Sequence, residues 1–168
     1  MFRNMAVSLI LTAGDQEKTG TRVRGRIVTT VAKAKELRPI IEKVITMGRR
    51  AQRIYAEAEQ YRTEAERNSD DWKAWRESES GRNWVRVTAP ALALRRRAFA
   101  ELRSEEAVNL VFGDLASRFA DRNGGYTRIV RLAKVRLGDA GERAMIEFVG
   151  VNDRVRSGRR SAPAVEAQ

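Results

Sequence analysis

The sequence predicts an α+β domain, and three observations carry that prediction. Helical apolar spacing fills most of the chain ahead of an Asn123-Gly124-Gly125 break. One short β-branched run precedes the longest of these helical patterns. Two further strand-like runs follow the break, joined by a turn, and so predict a hairpin.

Taken in order, Phe2 to Leu11 is an apolar helix candidate that ends at the turn signal Ala13-Gly14-Asp15. A polar, basic loop leads to Gly25. Arg26-Ile27-Val28-Thr29-Thr30 is short and β-branched and predicts a strand, with Thr30 placed to cap the next helix. From there Val31, Leu37, Ile41, Val44 and Ile45 recur at helical spacing, while Lys33, Lys35, Arg38 and Lys43 lie largely off that stripe. Pro39 sits inside the run and is expected to kink the helix or split it, because it lacks an N–H and crowds the preceding turn.

Ile54, Ala58, Tyr61 and Ala65 carry the helical pattern on towards Arg67. Asn68-Ser69-Asp70-Asp71 then stops it and caps a further short turn. Trp72, Trp75 and Trp84 all fall in this segment. They offer a platform for RNA bases or an anchor for a neighbouring protein, but are expected to serve chiefly to fold the segment back onto the domain.

Arg95-Arg96-Arg97 follows inside a helical pattern with Leu92, Leu94, Ala98, Phe99 and Leu102. Ser104 with Glu105 and Glu106 reads as a helix start, and Val108, Val111, Phe112, Leu115 and Phe119 as a core stripe ended by Asn123-Gly124-Gly125. Tyr126 to Val135 and Ala144 to Val149 are the two strands of the hairpin, turned at Gly138-Asp139-Ala140-Gly141. From residue 150 the tail has no apolar periodicity and is expected to be disordered.

Charge bounds the function. Lys and Arg number 33 against 22 Asp and Glu, for a net charge of +11, which points to a polyanionic partner. Arg supplies most of the cations, and its planar fork suits bidentate phosphate contacts. Residues 1–48 and 91–136 carry +5 each, residues 49–90 carry +1, and residues 137–168 are neutral. The two basic blocks are therefore expected to lie side by side and form one basic surface.

Absences narrow the classes further. Without Cys there is no disulfide, thiolate nucleophile or Cys metal site, and without His the usual general base and commonest metal ligand are missing. No apolar run is long enough to span a membrane and no signal peptide is recognisable, so an intracellular protein without cofactor, metal or small-molecule substrate is expected.

The densest constellation is Arg118, Arg122, Gly124-Gly125, Tyr126, Thr127 and Arg128. Arg118 and Arg122 are four apart and would share a helix face, the diglycine would let the backbone approach a phosphate, and Tyr126 could stack on a base or bond a 2′-hydroxyl. It fits neither a P-loop nor a dinucleotide fingerprint. RNA binding, DNA binding and a purely structural turn all remain open on these residues alone.

Two ordered blocks, covering about two thirds of the chain, carry a resemblance. Met1-Phe2-Arg3-Asn4-Met5-Ala6 with Ser8-Leu9, Thr29-Thr30, the run from Lys33 to Pro39, Glu42 and Ile45-Thr46 make up the first. Arg118-Phe119, Arg122, the run from Gly124 to Ile129, Gly138-Asp139 and Ala144 to Val149 make up the second. Together they resemble the bacterial large-subunit ribosomal protein L-seventeen family. That resemblance implies a two-layer fold with helices packed on a small three-stranded sheet, and a cytoplasmic, ribosome-bound structural protein without enzymatic activity. It implies a place near the peptide tunnel exit, in contact with large-subunit ribosomal RNA and neighbouring ribosomal proteins.

The chain departs from the family pattern in three places. The family carries a basic, histidine-containing arm ahead of the Met-Phe-Arg-Asn-Met motif, whereas this chain begins at the motif, so the arm is expected to be either lost or encoded upstream. The loop between Ile10 and Ile27 is longer than the family's. Residues of about 49–90 replace a short linker and are expected to be a helical insertion within one domain spanning residues 1–149.

Motif and charge agree on Arg3, Lys33, Lys35, Arg38, Arg118, Arg122, Tyr126, Thr127 and Arg128 as RNA-binding residues. Lys33 and Lys35 point different ways on a helix, so one of the two is expected to touch RNA directly. The Arg22, Arg24, Arg26 and Arg95, Arg96, Arg97 clusters come second. A DNA-binding or nucleoid-associated protein is the alternative, although neither a helix-turn-helix spacing nor a dimer seam is evident. An RNA-modifying enzyme would have to use Asp114, Asp121 or Asp139, which beside arginines are more often structural ion pairs.

Overall fold

The computed structural model describes residues 1–14 and 25–150. The loop with Arg22 and Arg24, and the tail from residue 151, lie outside the described residues. Helix α1 (Phe2–Leu11) and strand β1 (Arg26–Thr30) have the predicted bounds. Helix α2 (Val31–Ala58) buries the whole predicted stripe from Val31 to Ile45, each such side chain contributing roughly 1.5–3 kcal/mol.

The structure qualifies two expectations about this stretch and overturns a third. Thr30 holds the N-cap position of α2 but makes no side-chain cap bond; the first amide of the helix, Val31 N–H, instead donates to the carbonyl of Glu142 at 3.1 Å. Pro39 does not split α2, because both Pro39 and Lys35, whose carbonyl loses its usual donor, lie on the solvent side where water can take over. The helical pattern also stops short of Arg67: α2 tightens into a 3-10 turn at Glu59–Tyr61, and residues 62–69 are irregular.

Ser69 Oγ accepts from Trp72 N–H and starts helix α3 (Asp70–Glu77); Ser78 Oγ does the same for Gly81 N–H and starts α4 (Glu79–Leu102). Trp75 stands between Trp72 and Trp84, with ring centroids 6.5 and 6.4 Å away, and its Nε1–H donates to the carbonyl of Tyr61 at 3.1 Å. The tryptophans thus fasten α3 to α4 and to the end of α2. At the other end of α4, Lys43 pairs with Glu101 at 3.6 Å, so α2 and α4 run antiparallel. Ala91, Ala98 and Leu102 face inward from α4, whereas Leu92 and Phe99 are largely exposed.

Ser104 caps helix α5 (Glu105–Leu110), which continues through a π turn (Val111–Leu115) and a last helical turn (Ala116–Arg118). Val108, Val111, Leu115 and Phe119 are buried as the stripe predicts, with Phe112 partly so. The helix ends at Arg118, ahead of the expected Asn123-Gly124-Gly125 stop, because Phe119 turns inward against Tyr126 and Phe148.

Strands β2 (Thr127–Arg131) and β3 (Arg143–Phe148) form the predicted hairpin, although β2 stops at Arg131 and not at the expected Val135, and β1 joins the far side of β3 to give an antiparallel sheet ordered β1-β3-β2. Arg26 lies opposite Glu147 and Thr30 opposite Arg143, while Thr127 lies opposite Phe148. Ala144, Ile146 and Phe148 alternate inward from β3, towards the layer in which α2 packs across all three strands. This is the expected α+β arrangement of helices on a three-stranded sheet. Among the described residues no helix is long and apolar enough to cross a membrane, and no cluster of acidic side chains could hold a metal ion.

Candidate nucleic-acid interface

The predicted basic residues divide into an exposed set and a set built into the fold. Arg3, Lys35, Arg38 and Arg128 are exposed. Arg3 projects from α1 and donates one N–H, from Nε, to the carbonyl of Glu101 at 2.9 Å, which ties the start of the chain to the end of α4. Arg38 pairs with Glu42 one turn on at 3.2 Å, and Arg128 pairs across the sheet with Glu147. Both arginines keep about half of their side-chain surface in solvent, so these pairs orient the guanidinium groups without removing them from an approaching phosphate.

Lys33 and Lys35 do diverge. Lys35 is exposed, whereas Lys33 is half-buried at the edge of a cavity between α1 and β1 that is also lined by Met5, Arg26, Val28 and Met145. Arg26 turns its Nη1 towards Met145 Sδ. In the second cluster Arg95 donates to Asn109 and lies over the Phe112 ring at 5.6 Å, while Arg96 and Arg97 are exposed.

The constellation after α5 is organised differently from the prediction. Arg118 and Arg122 do not share a helix face, since the helix ends at Arg118. Arg118 lies 5.3 Å from the Phe119 ring centre and donates to the carbonyl of Val149 at 2.6 Å, holding the chain that leaves β3. Arg122 is partly buried with its Nε inside the protein.

Tyr126 is 1% exposed, so its ring is closed to base stacking. Its ring packs on Phe119 at 5.1 Å between centroids, and its hydroxyl accepts from Arg49 at 2.7 Å. Thr127 is also buried: its hydroxyl and its backbone N–H both donate to Glu42 Oε1, at 2.8 and 3.3 Å. Glu42 therefore joins the exposed Arg38 on α2 to the start of β2.

Arg49 is the residue that motif reading missed. It follows Ile41 and Ile45 at four-residue spacing, so a cation stands on the apolar stripe of α2, a signal readable in the sequence. It is 7% exposed, and its guanidinium also donates to the carbonyl of Ala120 at 2.8 Å and to Asn123 Oδ1 at 3.1 Å. Arg49 thereby shapes the Asn123-Gly124-Gly125 turn from beneath. Together with Thr46, Arg50, Arg53 and Gly124 it lines a cavity of about 260 Å³.

Asp139 at the hairpin tip is gripped by Arg136, and this hydrogen bonding, followed by a backbone bond from Gly141, holds its carboxyl well below the usual carboxylate range. A proton shuttle at neutral pH needs the opposite shift. The two basic blocks, residues 1–48 and 91–136, do meet in space, because α1 packs on α4 and α5 and α2 packs on the π turn and on β2.

The family described as ribosomal protein L17 matches residues 1–149. A large ribosomal subunit protein bL17 of Rhodopirellula baltica is 48% identical, over 96% of this chain and 79% of that relative's length. Similar proteins of the same name from Opitutus terrae and Rhodopseudomonas palustris are 37% and 36% identical over 91% and 89% of this chain, which spans 64% and 72% of their lengths.

Proposed function

Because the chain belongs to the ribosomal protein L17 family, whose relatives are named as large-subunit proteins, we propose that it binds large-subunit ribosomal RNA near the peptide tunnel exit. It does so as a ribosome-bound structural constituent without enzymatic activity, beside neighbouring ribosomal proteins. The observation that carries this reading is the exposed set Arg3, Lys35, Arg38 and Arg128 on helices α1 and α2 and strand β2, the three arginines oriented by partners that leave the cations accessible. Such groups neutralise phosphates and release counterions, so affinity falls steeply with salt, and the protein reads RNA shape rather than base sequence.

Lys33, Arg118 and Arg122 contribute from the partly buried margin. Tyr126 and Thr127 act from inside, by fixing the turn and strand that present Arg128. Residues 49–90 form a lineage-specific helical insertion in a single domain of residues 1–149. The test is a salt wash of purified large subunits: the protein remains at moderate ionic strength and dissociates at high ionic strength. Recovery only in free or DNA-bound fractions would overturn the reading.

A further inference from the structure

The three arginines around the cavity beneath Gly124 have no anionic partner among the described residues. Arg49, at its base, is more than nine-tenths buried, yet its partners are a hydroxyl, a carbonyl and an amide oxygen, all neutral. Its Nε is buried and has no acceptor among the described residues. A buried guanidinium without a carboxylate is costly unless a negative charge is supplied from elsewhere.

Arg50 and Arg53 stand on the rim, exposed, and make no hydrogen bond or ion pair with any described residue. Arg49 and Arg53 are one helical turn apart, so two like charges stand side by side on the α2 wall of the cavity. The opposite wall is the Asn123-Gly124 turn. Gly124 has φ +111°, and a Cβ placed on it would meet nothing within 4 Å, so the backbone there is open to close approach.

We propose that this cup, formed by Thr46, Arg49, Arg50 and Arg53 of α2 with Asn123 and Gly124, is a preformed site for one phosphate group, supplied by the RNA backbone. Its volume, about 260 Å³, accommodates a phosphate together with several waters at about 30 Å³ each. Arg49 is locked from behind by Tyr126, which preorganises the site, and the rim arginines supply the fork that phosphate oxygens accept from bidentately. The choice of RNA as the source of the phosphate rests on the function proposed above; the cup's affinity for phosphate does not.

Two measurements on the full chain separate these points. In the first, inorganic phosphate is titrated at constant ionic strength and followed by 15N-resolved NMR. Saturable shifts of the Arg49 Nε–H and Gly124 N–H signals are expected, and shifts no larger than those in chloride would overturn the site.

The second compares binding of purified large-subunit ribosomal RNA across a salt series. R50Q/R53Q should raise Kd about tenfold and reduce the slope of log affinity against log salt by about 1. R82Q/R86Q, which removes the same charge from exposed positions of α4, should change both much less. Equal losses in the two variants would show that only net charge matters and overturn the site. Failure of the unaltered protein to bind RNA would instead remove RNA as the source, leaving the phosphate titration to decide the cup itself.

Discussion

Replacing Tyr126 by Phe keeps the ring against Phe119 and removes only the hydroxyl that accepts from Arg49 at 2.7 Å. Both residues are buried, and the donor is charged. A hydrogen bond to a charged group contributes roughly 1.5–3 kcal/mol, so Tyr126→Phe should destabilise the protein by about that amount. For a chain of this length the loss corresponds to a fall in Tm of roughly 3–12 °C. Urea unfolding followed by far-ultraviolet circular dichroism measures the change directly.

The cycle is completed in an Arg49→Met background. With the donor gone, Tyr126→Phe should cost less than about 0.5 kcal/mol, giving a coupling of about 1–2.5 kcal/mol between the two positions. A different result would refute this account of the turn. If Tyr126→Phe left stability unchanged in both backgrounds but weakened RNA binding, the hydroxyl would face RNA, as the local sequence suggests.

Two further substitutions probe packing and charge elsewhere. At Gly48 of α2 a Cβ would lie 2.8 Å from the carbonyl oxygen of Val111, so Gly48→Ala should destabilise by about 1–3 kcal/mol in thermal unfolding despite the better helix propensity of alanine. Asp139→Asn should speed hydrogen exchange at the Gly141 amide while leaving the global Tm nearly unchanged, since the Arg136 to Asp139 pair lies at an exposed hairpin tip. Because the folded carboxyl titrates below its unfolded value, the pair is intact above the ordinary carboxylate range and is lost only as pH falls through the lowered value. Exchange at Gly141, corrected for its intrinsic pH dependence, should therefore be flat between pH 5 and 8.

Elements governed by local pattern were legible in the sequence. The bounds of α1 and β1, the α2 stripe and the late hairpin follow from spacing and turn residues. What escaped was set by contacts distant in sequence. Nothing near Tyr126 reveals that its hydroxyl meets an arginine 77 residues earlier, and a tyrosine among arginines and glycines looks exposed until that partner is known. In the same way, Arg118 ends its helix because Phe119 is drawn to Phe148, which comes from the last strand. Arg50 and Arg53 gave no signal because they lie in the near-neutral quarter of the chain, where a charge count conceals a local excess on one turn of α2.

The strand order β1-β3-β2 places the latest-made strand in the middle. During synthesis, neither β1 nor β2 has a neighbour until residues 143–148 have been added, because those two strands do not touch each other. The helical layer rests mainly on contacts already available; β2 meets β3 across a short hairpin, while β1 must wait for a partner at the far end of the fold. A chain terminated ahead of Arg143 would therefore lose the entire sheet rather than one strand of it, exposing the apolar underside of α2 and leaving two solitary edges open to aggregation.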